Sequence, residues 1–270
     1  MRLAKLIAAR GLCSRREAEQ LILDARVQVN GETVQRGAWV VDEDDFIKVD
    51  GKPLPKQPPK VYLLMYKPKG TITSRKDPEG RKSVLDLVEQ PVRVEPVGRL
   101  DLDTEGALLL TNDGDMANAL LHPSADVPKR YIAKVWRTPT DKSLERLQAG
   151  VFLPDGKTRP CKARVVEATQ SGNAWLEITV TEGRNRLVRR MLQALNHPVS
   201  KLRRESFATL SIREMKRGEV RPLTSEEIRR LKALAGGRKP VKSQGRFKYK
   251  KGFARPKDKK GLGKRRGGVK

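Results

Sequence analysis

The sequence has few aromatic residues, no long apolar run and only two cysteines. Aromatic residues make up 4% of its 270 residues and hydrophobic residues 37%, so any folded core is modest. Its apolar runs are short, as at residues 62–66, and far below the roughly 18 residues that span a bilayer, which argues against a membrane protein. Cys13 and Cys161 lie far apart, and neither has a second Cys or a His at ligand spacing. A structural zinc site and a disulfide framework are therefore excluded.

Other absences concern the cell compartment and cofactor chemistry. Arg2 and Arg10 interrupt the apolar residues at the N-terminus, so we expect no signal peptide and a cytoplasmic protein. The sequence contains no P-loop and no G-x-G-x-x-G after a predicted strand. His122 and His197 each precede a proline at a predicted helix end, which favours capping or packing roles. We therefore expect neither a metal nor a nucleotide cofactor.

Acidic residues are scarce relative to basic ones. The chain contains 58 Lys and Arg residues against 32 Asp and Glu residues, which gives a formal net charge of +26 and a pI near 10.4. Residues 238–270 hold 15 of the basic residues and one acid, Asp258, with too few apolar residues to offset the entropy lost on ordering. We predict a disordered tail there, either a polyanion-binding arm or a solubilising segment. Because residues 1–237 are still clearly basic, nucleic acid is the predicted partner.

Residues 1–52 have the pattern of a small α+β domain. Ser14 and Glu17 form an S-x-x-E capping box at the start of a helix with an apolar face. An Asn-Gly turn within residues 27–34 lies between alternating valines and predicts a β-hairpin. Arg15 and Arg16 fall in the first turn of the helix, where cations oppose the macrodipole. They predict a phosphate site, or alternatively an exposed basic helix start.

This pattern resembles the alpha-L type RNA-binding domain of a small-subunit ribosomal protein, tyrosyl-tRNA synthetases and several RNA-modifying enzymes. The resemblance rests on residues 2–7 (RLAKLI), 11–18 (GLCSRREA) and 27–31 (VQVNG). The family usually has Gly where this chain has Ala25. The resemblance implies that four residues face RNA: Lys5, Ser14, Arg15 and Arg16.

A proline-rich segment at 53–60 (PLPKQPPK) predicts a linker between residues 1–52 and a second domain at 61–237. Predicted strands and irregularly placed helices alternate beyond it, which favours an α+β fold with a mixed sheet over a regular doubly wound one. Residues 67–70 (KPKG) predict a basic turn. Residues 104–106 (TEG) predict a second turn, which is not basic and comes before an apolar strand.

Residues 99–103 (RLDLD) alternate polar and apolar residues. An extended chain would put Leu100 and Leu102 on one face and the charged residues on the other. Asp101 and Asp103 would then project side by side and could not flank a bond from opposite faces, so a single aspartate with a guanidinium partner fits better than a glycosidase-like pair. Four arginines surround the start of a helix predicted to be capped by Asn185, either as a solvated basic face or as partners of an anion: Arg184, Arg186, Arg189 and Arg190.

Residues 96–114 (PVGRLDLDTEGALLLTNDG) resemble the signature of ribosomal RNA pseudouridine synthases, in the branch of small-subunit synthase A and large-subunit synthases B, E and F. Residues 129–131 (KRY), 182–186 (EGRNR) and 188–191 (VRRM) agree with it in order. The resemblance implies a monomeric, cofactor-free isomerase that acts on ribosomal RNA, expected to be large-subunit RNA, or on a pre-ribosomal particle. The alternative is a non-catalytic RNA-binding or ribosome-assembly factor that kept the fold.

The resemblance also implies roles for single residues. Asp101 matches the essential aspartate, which either attacks C1′ of the target ribose or takes a proton from C2′. Arg189 matches the basic residue that pairs with it, and Tyr131 matches the aromatic residue that stacks on the uracil. Arg99 is a candidate to fill the gap left by the flipped base. The other expected substrate-binding residues are Arg184, Arg186 and Arg190.

Overall fold

The computed structural model describes residues 1–35, 39–42, 44–75 and 77–236. The tail predicted at 238–270 lies outside these residues. The described residues form a small N-terminal sheet with two helices and a larger mixed sheet covered by helices, which confirms the α+β class. None of the helices in the described ranges is long and apolar enough to cross a membrane.

Two helices and a four-stranded antiparallel sheet make up the N-terminal part. They are α1 (Leu3–Ala9), α2 (Arg15–Leu23), β1 (Val27–Val29), β2 (Glu32–Val34), β3 (Ile47–Val49) and β4 (Lys52–Pro53), in sheet order β2-β1-β3-β4. The predicted capping box opens α2, because the Ser14 side chain accepts from the Glu17 backbone and the Glu17 side chain accepts from the Ser14 backbone. Asn30 and Gly31 join β1 to β2 with positive φ angles, as a type I′ hairpin requires.

The structure differs from expectation at the start of the linker. Pro53 belongs to β4 and pairs with Lys48 of β3, and Leu54 donates its backbone N–H to the Ile47 carbonyl. Proline is tolerated there because β4 lies at the sheet edge and needs no outward ladder donor. The N-terminal sheet therefore extends into the proline-rich segment 53–60.

A nine-stranded mixed sheet forms the centre of the larger part. Its strands are β5 (Tyr62–Lys67), β6 (Glu95–Pro96), β7 (Thr104–Thr111), β8 (Lys129–Val135), β11 (Lys162–Ala168), β12 (Ala174–Val180), β13 (Val199–Phe207), β14 (Leu210–Ser211) and β15 (Val220–Pro222). A separate hairpin consists of β9 (Phe152–Leu153) and β10 (Gly156–Lys157). The main order is β11-β12-β8-β13-β7-β5-β15, with β6 on β7 and β14 on β13. Strands β7 and β13 run parallel, and the other described pairs are antiparallel.

Helices cover this sheet at several places. They are α3 (Gly114–Leu121), α4 (Asp141–Gln148), α5 (Leu187–Ala194) and α6 (Ser225–Gly236), with short 3₁₀ helices at Val84–Leu87 and Pro123–Ala125. Helices α4 and α5 pack against β8 and β12, whereas α3 and α6 pack against β5 and β7. The opposite face of β5 and β7 packs on the 3₁₀ helix at Val84–Leu87. Both faces of β5 and β7 are thus buried, which explains their continuous apolar runs.

The start of α5 differs from expectation. Asn185 is not its cap: the N-cap is Arg186, which has φ +47 and makes no side-chain hydrogen bond to the helix. By contrast, a capping box opens α6, since Thr224 and Glu227 exchange side-chain and backbone hydrogen bonds there.

Two expectations in and near residues 96–114 are wrong, and a third holds only in part. Residues 99–103 form no regular strand, and Leu102 is 41% exposed while Leu100 is buried. No turn lies at Gly106, because β7 runs through it and the missing side chain leaves room for the neighbouring backbone of Arg204. Lys67 is the fully buried last residue of β5, so the predicted basic turn is confined to Lys69 and Gly70.

Candidate active site

A cleft of about 370 Å³ lies where the chain enters β7. Its walls come from the loop before β7, from β8 and β13, and from the segment that leads into α5. The cleft brings together five of the residues singled out in the sequence: Arg99, Asp101, Tyr131, Arg184 and Arg186.

Buried hydrogen bonds fix the loop that carries Asp101. The Lys67 ammonium is buried and donates to the backbone carbonyls of Asp101 at 3.0 Å, Thr104 at 2.9 Å and Pro68 at 3.2 Å. Thr73 adds a hydroxyl that donates to the Leu100 carbonyl at 2.8 Å. Desolvation lowers the pKa of Lys67 to about 8, although the charges of Asp101 and Asp103 act to raise it. The backbone around Asp101 is therefore held by a cation that burial makes easier to deprotonate.

The ion pairs beside the cleft differ from expectation. Arg189 does not pair with Asp101: its Nη2 lies 2.9 Å from Asp103 Oδ2 and donates to the Asp103 carbonyl at 3.2 Å. Arg186 Nη1 lies 3.6 Å from Asp101 Oδ2 and 3.5 Å from Asp103 Oδ1. The turn at residues 102–103 explains the change, because it moves Asp103 towards α5. Burial lowers the pKa of Arg189, and the Asp103 carboxylate opposes that shift.

Arg184 and Arg190 converge on the β9–β10 hairpin. Arg190 forms an ion pair with Asp155, and Arg184 Nη1 lies 3.2 Å from the same carboxylate. Arg184 also donates to the backbone carbonyls of Asp155 and Gly156, both at 3.1 Å, and pairs with Glu182. The charge of Arg190 lowers the pKa of Asp155 through their hydrogen bond. These two arginines thus tie the hairpin to the rim of the cleft.

The residues expected to face RNA from the N-terminal part border a second cleft of about 590 Å³. Arg15 and Arg16 are exposed at the first turn of α2. Lys5 forms an ion pair with Asp115 of α3 at 2.5 Å, and Ser14 uses its hydroxyl as the helix cap. Two of the four residues therefore already have partners within the protein.

Comparison with known proteins shows the family to which the chain belongs. Residues 61–194 match the RNA pseudouridylate synthase family, and residues 1–47 match the S4 domain. The chain is 45% identical over 236 residues to the ribosomal large subunit pseudouridine synthase B of Bacillus subtilis, covering 87% of this chain and 96% of that protein. The chain belongs to the RNA pseudouridine synthase family.

Two further relatives cover most of the length of this pseudouridine synthase. An uncharacterized RNA pseudouridine synthase of Aquifex aeolicus is 41% identical over 239 residues, covering 87% of this chain and 95% of that one. A crystal structure of a pseudouridylate synthase superposes with a TM-score of 0.62 at 28% identity, covering 86% of this chain and 99% of the other. The expected enzyme class, an RNA-modifying isomerase with an N-terminal S4 domain, is confirmed.

The sequence alone did not single out several buried polar residues of this synthase. Lys129 and Arg204 line the cleft with Thr104, and each is at most 9% exposed. Lys67 could be suspected, since it ends an otherwise apolar strand, but Arg204 lies on β13, which no periodicity predicts. Within the described ranges, no group of three His, Cys, Asp or Glu side chains is placed to hold a metal ion.

Proposed function

We propose that this pseudouridine synthase isomerises a uridine of large-subunit ribosomal RNA, with Asp101 as the group that reacts at the target ribose. The observation that carries the proposal is the placement of Asp101 in a cleft with Tyr131, on a loop held from below by buried Lys67. The named relative from Bacillus subtilis supports the choice of RNA. An RNA-binding factor without activity would not need a carboxylate fixed in this way.

The reaction breaks the N1–C1′ bond, joins C5 of the uracil to C1′ and moves one hydrogen from C5 to N1. Asp101 either attacks C1′ or removes the C2′ proton. Arg186 holds the Asp101 carboxylate by charge attraction across 3.6 Å. Tyr131 stacks on the detached uracil while it turns.

The remaining predicted residues serve substrate binding in this proposal. The target base leaves its stack at a cost of a few kcal/mol, and Arg99 fills the space it leaves. Arg184 and Arg190 order the rim of the cleft through Asp155. Arg189 acts through Asp103, since that is the carboxylate it contacts.

The N-terminal domain, residues 1–52, binds RNA at a distance from the reacting base. Arg15 and Arg16 extend a helix N-terminus, where phosphate is favoured. Residues 53–60 join this domain to the catalytic domain at 61–237. In this proposal the enzyme acts as a monomer in the cytoplasm on ribosomal RNA or a pre-ribosomal particle, and the S4 match and the Bacillus subtilis relative support the RNA partner.

Tritium release from C5-labelled uridine tests the proposal on large-subunit and small-subunit ribosomal RNA transcripts. We expect the native protein to release tritium from the large-subunit transcript. The Asp101→Asn variant should release none, because the amide keeps the shape of the side chain but removes the nucleophile or base. Asp141→Asn, at an exposed position in the first turn of α4, is the control and should retain activity. Release from the small-subunit transcript alone would overturn the choice of RNA, and release by Asp101→Asn would overturn the role of Asp101.

A further inference from the structure

Three cations are buried beneath the cleft: Lys67, Lys129 and Arg204, with exposed fractions of 0%, 9% and 2%. The pKa of each lysine is lowered to about 8, chiefly by desolvation and in part by the charge of Arg204. The nearby carboxylates of Asp101 and Asp103 pair with Arg186 and Arg189 instead. Among the described residues, the three cations thus have no carboxylate in ion-pair contact. Buried cations without an anion destabilise a fold, so this cluster calls for a functional reason.

The hydrogen-bond donors of the three cations are used to different extents. Lys67 donates to three backbone carbonyls, and Lys129 donates to those of Val127 at 2.9 Å and Thr181 at 2.8 Å. Arg204 donates through Nε to the Ala107 carbonyl at 2.8 Å, but its Nη2 is buried and has no hydrogen-bond partner among the described residues. A buried donor that is left unpaired destabilises the fold. Arg204 is therefore the one of these three cations with a buried N–H donor that has no hydrogen-bond acceptor among the described residues.

The sheet register places Arg204 beside the residue expected to hold the base. Arg204 lies directly opposite Tyr131 on the antiparallel strand β8, so the two side chains project from the same face of the sheet. The guanidinium lies 5.1 Å from the ring centroid of Phe207, which limits its movement. All three residues line the cleft. A base stacked on Tyr131 would therefore present its edge to Arg204.

We propose that Arg204 donates a hydrogen bond from Nη2 to a carbonyl oxygen of the target uracil and stabilises the negative charge on that base when the N1–C1′ bond breaks. The electron pair of this bond leaves with the base, and the resulting uracil anion shares its charge between O2 and O4. The C5–C1′ bond then forms as the Asp101–C1′ ester bond breaks or as C2′ regains its proton, according to the route; C5 loses its proton and N1 gains one. The anion arises whether Asp101 attacks C1′ or removes the C2′ proton, so Arg204 serves either route. This inference rests on the proposed function.

The physical basis is a donor that is fixed in position and buried. A guanidinium held in place needs no reorganisation when charge develops on the base, and burial strengthens its attraction for that charge. Gly106 contributes to this arrangement, because a Cβ there would lie 2.2 Å from the Arg204 carbonyl oxygen. The parallel pairing of β7 with β13 brings the Asp101 loop and Arg204 to the same cleft.

The test compares two leaving groups on one enzyme. The shortest ribosomal RNA fragment on which the native protein acts is synthesised with uridine or with 5-fluorouridine at the modified position. Fluorine withdraws electrons and stabilises the departing anion, so a 5-fluorouracil base depends less on Arg204. Glycosidic cleavage is followed in single turnover as loss of the original nucleoside from digested RNA. Because both rates come from the same protein preparation, any unfolded fraction cancels in their ratio.

We expect Arg204→Gln to slow cleavage of uridine about 100-fold and of 5-fluorouridine only about tenfold, as for loss of one preorganised donor. Arg204→Lys keeps a cation and should fall between these values. Arg203→Gln is the control, because Arg203 points to the other face of β13 and pairs with Glu205. Equal slowing of both substrates by Arg204→Gln would overturn the inference and leave a structural role. A native protein that acts on no ribosomal RNA fragment would instead overturn the proposed function.

Discussion

Ala25 occupies a backbone conformation that favours glycine. It has φ +59 in the turn between α2 and β1, at the position where the related RNA-binding domains usually have Gly. A left-handed alanine costs roughly 1–2 kcal/mol, only part of which is offset by its lower entropy in the unfolded chain. We expect Ala25→Gly to raise the midpoint of thermal unfolding by about 2 °C. Ala8→Gly in α1 should lower it, since helix interiors favour alanine, and a loss of stability with both variants would contradict this account.

Lys67 predicts a pH dependence of stability. Its pKa is about 8 in the fold and 10.5 in the free side chain, so between these values the unfolded chain holds the proton that the folded chain has released. Stability contributed by Lys67 therefore rises with pH across this window, by up to about 1.4 kcal/mol per pH unit. Urea unfolding of the native protein and of Lys67→Met from pH 7.5 to 10 measures it. We expect the difference in unfolding free energy, native minus variant, to grow with pH; parallel curves would show that the buried lysine is not shifted.

At the scale of elements, the sequence predicts those helix starts and turns that depend only on neighbouring residues. The capping box of α2 and the Asn-Gly hairpin both follow from residues close in the chain. Strand β13 does not, because its central residues are charged and its conformation depends on pairing with β7 and β8. The prediction at Gly106 fails for the same reason. The local sequence predicts a turn, whereas the glycine allows the backbone of β13, which is distant in sequence, to approach β7 closely.

Gly106 therefore provides a test of how the two central strands pack. Its φ is +123, and an added Cβ would lie 2.2 Å and 2.6 Å from backbone atoms of Arg204, which cannot move away without breaking the β7–β13 ladder. We expect Gly106→Ala to destabilise the catalytic part by about 3 kcal/mol or more in urea unfolding. Gly114→Ala is the matched control, with nothing within 4 Å of its Cβ, and should change stability by less than about 1 kcal/mol. Similar losses for both would show that the close approach is not what selects glycine.

At the scale of the whole molecule, the candidate site is predictable only in part. The resemblance of residues 96–114 to a family signature singles out Asp101, and the structure puts it in a cleft with Tyr131. The arginine that pairs with Asp101 is not predictable from the sequence. A turn at residues 102–103 places Asp103 against Arg189 and leaves Asp101 with Arg186. Buried lysines and arginines escape prediction as well, since basic residues are usually exposed and their burial follows from the completed sheet.

More than half of the net charge of the chain lies in its last 33 residues. Residues 238–270 contribute +14 of the formal +26, but nothing in them resembles the synthase signature. Each phosphate that these cations neutralise adds about 0.9 to the salt slope of binding on duplex nucleic acid. We therefore expect removal of this segment to weaken RNA binding mainly at low salt and to flatten the dependence of log K on log salt concentration. Titrations of full-length and 1–237 proteins on one ribosomal RNA fragment measure both effects.

A control variant separates charge from length. Replacing the 15 basic residues of the segment by glutamine keeps its length and should flatten the salt dependence as much as the deletion does. The modified uridine should be the same in all three proteins, because phosphate contacts by the tail carry no base information and the choice of uridine comes from the N-terminal domain and the cleft. Equal salt slopes for native and glutamine proteins would show that the tail aids solubility without contacting RNA. A change in the modified position would show that the tail takes part in selecting the substrate, contrary to this division of roles.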